Sequence, residues 1–250
     1  MTWARVAAPV AVGVIMLALW YLVVDVLHAA PRALPSPVAI VTELFKRSEI
    51  ILDDMQITGT NALLGLAAGA LVGIVLAALA AAFGPVDGML APLVAAIAVV
   101  PIVALTPIFN SMFGASSQFG RQAVAAIAAF VPVFVNVLRG LRQTHPVHRD
   151  LLRASGAGGV QTFRVLTLPT ALPYLMTGLR IASSIAVIAA LVAEYFGGPA
   201  DGIGTSIATY AKSGRASLAF AYVIGAIAIG LALFFVTSAL ERAVSRRKPV

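Results

Sequence analysis

The chain has 250 residues, 60% of them hydrophobic and 11% charged, with a mean hydropathy of +0.99; a soluble domain is about 45–50% apolar and about 25% charged, so a soluble fold is set aside. Its formal charge of +7 is not interleaved with exposed aromatics, which argues against nucleic acid and for membrane orientation. With no cysteine and three histidines, neither a disulfide nor a metal centre is expected.

The whole chain, 1–250, reads as one all-α membrane domain of six transmembrane helices, since each stretch of roughly 20 apolar residues can span the hydrocarbon with its backbone satisfied internally. The first run, Val6 to Val24, follows Arg5 and precedes Ala29 and Ala30. It exceeds a signal h-region of roughly 7–15 residues, so residues 6–27 are taken as a retained span. Leu34-Pro35-Ser36-Pro37 opens an external segment over 34–56. There Val38, Val41, Leu44, Phe45 and Leu52 come near helical spacing, as a short helix at the interface would show.

Residues 62–83 form the second expected span. Gly65, Gly69 and Gly73 recur every four residues and lead into Ala77 and Ala81, a stripe that lets two helix backbones approach, either between subunits or within the chain. The third and fourth spans are expected at 89–109 and 123–138. Prolines 92, 101, 107 and 132 fall in or beside them; each removes a helical hydrogen bond, which fits either a solute pathway or ordinary kinked packing. The fifth and sixth follow at 171–193 and 218–240.

Orientation comes from the basic residues. Placing both termini in the cytoplasm puts Arg5, Arg139, Arg142, Arg149, Arg153, Arg164, Arg242, Arg246, Arg247 and Lys248 there, against Asp87, Asp150 and Glu241. The other side, with Arg32, Lys46, Arg47, Arg121, Lys212 and Arg215, is nearly balanced by Glu43, Glu49, Asp53, Asp54, Glu194 and Asp201. The positive-inside rule selects this topology.

Between the fourth and fifth spans lies a long polar loop, 139–170, too long for a simple turn. Pro146 favours a break before a short helix over His148 to Ala154, with Leu151 and Leu152 set among Arg149, Asp150 and Arg153, and with Gly156, Gly158 and Gly159 ending it. A short amphipathic helix at the cytoplasmic face suits a groove on a partner.

This loop resembles the cytoplasmic motif E-A-A-x3-G-x9-I-x-L-P of permease subunits of binding-protein-dependent ABC importers. Gly156, Leu168 and Pro169 match it, while Asp150 stands for the glutamate, Leu151 and Leu152 for the alanines and Leu166 for the isoleucine. The chain is similar to the nitrate, sulfonate and taurine branch at Leu34-Pro35-Ser36-Pro37, at Gln161-Thr162-Phe163-Arg164, from Leu168 to Pro173, from Gly178 to Ala182, and at Glu194 followed by Gly197-Gly198 and Gly202-Ile203-Gly204.

The resemblance implies a type I ABC importer permease fold. It also implies a second permease copy or homologue, a cytoplasmic ATPase dimer holding ATP and Mg, and an extracytoplasmic solute-binding protein, all around a bilayer-embedded pathway. Asp150, Leu151, Leu152, Arg153, Gly156, Leu168 and Pro169 would then couple to the ATPase, Asp150 by capping or polar contacts and Pro169 by stopping the segment before the fifth span. The solute would be nitrate, a sulfonate, taurine or a pyrimidine-type vitamin precursor. One independent observation agrees: Lys46, Lys212 and Lys248 are the only lysines and none completes a G-x4-G-K-[ST] phosphate loop, so ATP belongs to another chain and this one is no enzyme.

Two charged residues are pathway or gate candidates. Arg180, about two turns into the fifth span, either faces the pathway or snorkels to the cytoplasmic surface. Glu194, at that span's other end, either helps form an outer gate or sits at the water boundary. His145 and His148, separated by Pro146, read as loop residues. A self-contained secondary transporter or channel, the competing class, would carry more ionisable groups deep in the membrane than Asp25, Arg180 and Glu194.

Overall fold

The computed structural model describes residues 3–28, 34–114, 116–197 and 201–245. Ala29, Ala30, Arg32, Gly198, Arg246, Arg247 and Lys248, used above for topology or motif, lie outside them.

The described residues fold into helices: α1 (Trp3–Tyr21, continued by a π-turn, Leu22–Val26), α2 (Pro37–Lys46), α3 (Ser48–Ala82), α4 (Gly84–Val99), α5 (Ile102–Phe113), α6 (Gln118–Arg142), α7 (Pro146–Ala154), α8 (Gly159–Thr162, continued by a π-turn, Phe163–Thr167), α9 (Leu168–Tyr195), α10 (Ile203–Lys212) and α11 (Ala216–Ser245). Five helical segments are long and apolar enough to cross a membrane, and α4 with α5 makes a sixth if that bent pair is one span.

The centre is α6, packed between α3 and α9. Glycines set how close these helices come. A Cβ on Gly65 would run into the Ala125 side chain, one on Gly69 into the Ala126 carbonyl, and one on Gly73 would sit 3.1 Å from Phe130 O. The small-residue stripe is thus used within the chain. On the other face of α6, Gly140 lies against Ala171 and Tyr174, and Gly178 of α9 against Asn136 and Pro132. Such approach gives dense van der Waals contact where lipid supplies no hydrophobic drive between helices. α11 lies on α9, while no residue of the 7–26 segment is buried; Trp20, at 6.2 Å from the Phe220 ring, ties that segment to α11.

Three features differ from the sequence-based expectation. The external segment over 34–56 is not set apart from the second span over 62–83. Ser36 caps α2, accepting from Val38 N at 3.1 Å with Pro37 behind it, but after the single non-helical Arg47 the chain starts α3 at Ser48. At about 1.5 Å per residue α3 is about 50 Å long, well over the ~30 Å hydrocarbon, and its first turns carry its charged residues, Glu49, Asp53 and Asp54.

The third span is not one helix over Met89–Phe109 but two helices bent by 95°. Of the four prolines only Pro101 ends a helix; Pro92, Pro107 and Pro132 lie inside theirs. Val99 and Val100, two β-branched residues with restricted χ1, precede Pro101, and its ring pushes Val100 to an extended ψ of 124°. Pro169 likewise stops nothing. Residues Gly159–Tyr195 form one 37-residue helical segment, because the π-turn just before the proline absorbs the discontinuity and Thr170 Oγ1 donates to Leu166 O at 2.7 Å.

Candidate functional site

Two constellations stand at opposite ends of the α6–α9 pair. At one end the chain leaves α6, and His145 caps α7 by accepting from Val147 N at 3.3 Å through Nδ1, with Pro146 in the first turn. The cap is His145 and not Asp150, which lies within the helix and meets Arg153 at 3.7 Å, both side chains largely exposed; such a pair adds little.

α7 closes with a Schellman motif. Gly156 N donates to Arg153 O at 3.0 Å and Ala157 N to Leu152 O at 2.9 Å, with Gly156 at φ +78°. A Cβ there would meet nothing within 4 Å, so the glycine is required by its backbone conformation and not by space. No residue of α7 is buried: Val147 and Leu151 are 61% and 64% exposed, and Leu152 is half-buried. A cavity of about 380 Å³, lined by Arg149, Arg153, Ala78, Ala82 and Phe163, separates α7 from the end of α3. α7 is therefore an apolar-and-cationic helix held out from the bundle. Leu168 and Pro169 lie exposed at the start of α9, on the helical segment that leads away from it.

At the other end Glu194, next to last in α9, is fully buried. Its Oε2 accepts from Thr58 Oγ1 at 2.7 Å and from Gly204 N at 3.0 Å, and its Oε1 from Asn61 Nδ2 at 3.4 Å. Thr58 Oγ1 in turn accepts from Ile203 N at 2.9 Å. Asp54 accepts from Gly202 N at 3.1 Å and from Ser206 Oγ at 2.6 Å. Gly202 has φ +100°, and its Cβ would fall 2.7 Å from the Glu194 carboxyl carbon.

Beside this lies Arg121, 1% exposed. Its Nη1 donates to Asp201 Oδ1 at 3.0 Å, to Asp201 O at 2.9 Å and to Gln118 Oε1 at 3.2 Å. Gln118 also donates to Asp201 Oδ1 at 2.8 Å and accepts from Asn61 at 2.7 Å. Partial burial works against the Asp201 charge, but the hydrogen bonds from Gln118 and Arg121 outweigh it and hold its carboxyl below the ordinary 3.8.

The Glu194 carboxylate is thus enclosed by α3, α9 and α10. Arg180 is also engaged within the chain, 2.8 Å from Glu241 of α11 and 5.9 Å from the Phe234 ring centre, while Thr177 Oγ1 donates to Glu241 Oε1 at 2.6 Å. Sequence reasoning placed Asp54, Arg121 and Asp201 among outer-side surface charges and passed over Thr58, Asn61 and Gln118. The available signal was the spacing 54, 58, 61, one face of a helix that begins earlier than its apolar stretch.

Residues 69–248 match the family described as binding-protein-dependent transport system inner membrane component. The chain is 36% identical over 168 residues to the formylaminopyrimidine transport permease protein ThiX of Halalkalibacterium halodurans, covering 67% of each. It is 27% identical over 231 residues to a probable ABC transporter permease protein of Haemophilus influenzae, covering 92% of this chain and 94% of that one, and 25% identical over 240 residues to the taurine transport system permease protein TauC of Escherichia coli, covering 93% and 85%.

Among solved structures, an amino acid ABC transporter superposes with a TM-score of 0.64 at 16% identity, over 82% of this chain and 96% of that one. The MetNI methionine ABC transporter, inward-facing, superposes with a TM-score of 0.57 at 20% identity, over 79% and 95%. These last two show the fold, that of type I importer permeases. The chain belongs to the binding-protein-dependent transport system inner membrane components: it is a multi-pass ABC importer permease of the bacterial inner membrane, in the nitrate, sulfonate and taurine branch.

Proposed function

We propose that this chain forms half of a solute pathway with a second permease copy or homologue, and that α7 seats in a groove on a cytoplasmic ATPase dimer, which binds the ATP and Mg. The observation that carries the reading is α7 itself, a capped helix with Val147 and Leu151 exposed beside Arg149 and Arg153 at the end of the bundle. An apolar stripe flanked by charge is what a helix-in-groove contact uses. Both termini then lie in the cytoplasm, and an extracytoplasmic solute-binding protein meets the α10 end. The solute is a pyrimidine-type vitamin precursor; the 36% identity to a formylaminopyrimidine permease supports this over the taurine and sulfonate relatives, which are 25–28% identical.

Leu151 and Leu152 anchor the contact, Asp150 and Arg153 border it, and Gly156 makes the turn behind it. The test is co-purification with the ATPase, together with uptake of formylaminopyrimidine and of taurine by the reconstituted importer. Leu152→Asp is expected to remove ATPase association and uptake while membrane insertion persists. Gly156→Val, strained at φ +78°, should weaken both, whereas Gly156→Asp should be milder because aspartate tolerates that region better. Unchanged ATPase association in Leu152→Asp sinks the docking assignment; uptake of taurine alone sinks the choice of solute.

A further inference from the structure

The buried cluster far from α7 has two properties that docking at α7 leaves unused. The first is continuity. Gly159–Tyr195 is a single helical segment, spanning about 55 Å at about 1.5 Å per residue, with the segment after α7 at one end and Glu194 at the other. The second is how α10 begins. Its N-terminal N–H groups, which no helix can satisfy internally, are taken by side chains from other helices: Gly202 N by Asp54 of α3, Ile203 N by Thr58 of α3, and Gly204 N by Glu194 of α9.

We infer that Glu194 is a positioning residue that fixes the start of α10 to the far end of the α8–α9 segment, so that a displacement of α7 reaches α10 as the movement of one rigid body. The joint has little slack. A Cβ on Gly202 would overlap the Glu194 carboxyl, and one on Gly204 would lie 2.7 Å from Glu194 Cβ and 2.9 Å from Tyr195 N, so α10 is pressed against α9 with backbone on backbone. The hydrogen bonds at Glu194 and Thr58 are buried, and in a water-excluded setting leaving one unmade is costly, which makes the joint directional. Thr58 receives the Ile203 N–H and passes its own hydrogen to Glu194, locking α3 into the same joint. α10 then carries Lys212 and the following Arg215 to the exposed surface.

The inference rests on α7 being the ATPase contact, and the two fail differently. If α7 is not the contact, Leu152→Asp keeps its ATPase; if the joint is not a positioning device, the cluster variants behave as the parent. The experiment uses the complete importer in proteoliposomes. As the chain has no cysteine, Gln161→Cys and Lys212→Cys place spin labels at the two ends of the rigid body, in spin-diluted complexes.

Glu194→Gln keeps a carbonyl oxygen for Thr58 and Gly204. It is expected to give one narrow label distance, the same with and without ATP, and the parental ratio of solute moved to ATP hydrolysed. Glu194→Ala and Thr58→Val should retain the ATPase, broaden the distance and lower that ratio at least tenfold. If Glu194→Ala does not assemble, Thr58→Val decides alone. A narrow distance with the parental ratio in Thr58→Val overturns the inference. So does loss of the ATPase by Thr58→Val, or a parental distance that changes on ATP binding.

Discussion

The two ends of the α6–α9 pair follow opposite rules for polar groups. At the α10 end Glu194, Arg121, Asn61 and Thr58 are buried and hydrogen-bonded to one another or to the backbone, and glycines 202 and 204 let the helices close over them. At the α7 end charges are exposed, the Asp150–Arg153 pair is loose at 3.7 Å, and leucines and valines face outward. A buried carboxylate is tolerated only with its acceptors filled, so the first end holds one shape. The exposed apolar helix beside a cavity buries none of its side chains among the described residues. The contrast teaches that this subunit keeps its specific internal geometry at one end and, in the docking proposed above, its surface for a partner at the other.

The largest way to break the contrast is to remove what joins the ends. Gly69→Val puts a side chain into the Ala126 carbonyl, a backbone atom that cannot rotate away. Overpacking typically costs about 1–3 kcal/mol and occasionally more, and here α3 must shift from α6 along its length. Loss of monodisperse permease on size-exclusion chromatography is expected, whereas Gly88→Val, whose Cβ meets nothing within 4 Å, should elute as the parent. Normal elution of Gly69→Val would falsify the close α3–α6 approach.

That approach is legible in the sequence, because small residues every four positions have one geometric meaning on a helix, although the stripe by itself fits an approach within this chain or to a second one. α7 was legible too, within two residues of its start, from Pro146 and the glycines after it. The bent α4–α5 pair was not. Four prolines looked alike, and only the two valines before Pro101 set it apart. The polar cluster was least legible. Asp54, Thr58 and Asn61 share a helical face, but the apolar stretch starts at residue 62, and composition alone hides that face. Arg121 in a loop and Arg121 at 1% exposure are the same letter, and its burial is decided by Asp201, 80 residues away.

A smaller effect is expected at Arg180. It lies on the α7 half of α9, yet it is paired as groups at the other end are, 2.8 Å from Glu241. Arg180→Met leaves Glu241 with Thr177 alone and should lower the thermal midpoint in detergent; Arg180→Met with Glu241→Gln should recover part of the loss. A coupling on the order of 1 kcal/mol is expected for residues in direct contact. Additive single losses would mean that the two charges do not sense each other, and that Arg180 is free to face elsewhere.

The smallest effect is a pH dependence at the α10 end, through Asp201. Its carboxyl is held below the ordinary 3.8 in the folded chain, so the unfolded chain binds the proton more readily. Stability therefore rises with pH across the window. The contribution is fully present above the ordinary value and is lost as pH falls through 3.8 and on past the lowered folded value. Since Asp201 is 49% exposed, solvent screening keeps the effect modest, and Asn at this position retains an oxygen for Gln118 and Arg121. The parental thermal midpoint should exceed that of Asp201→Asn at pH 6, and the gap should shrink as pH falls below the ordinary 3.8. A gap of the same size at pH 6 and at pH 3 would assign Asp201 a packing role only, and the charge that holds Arg121 in place would have to be sought at Glu194.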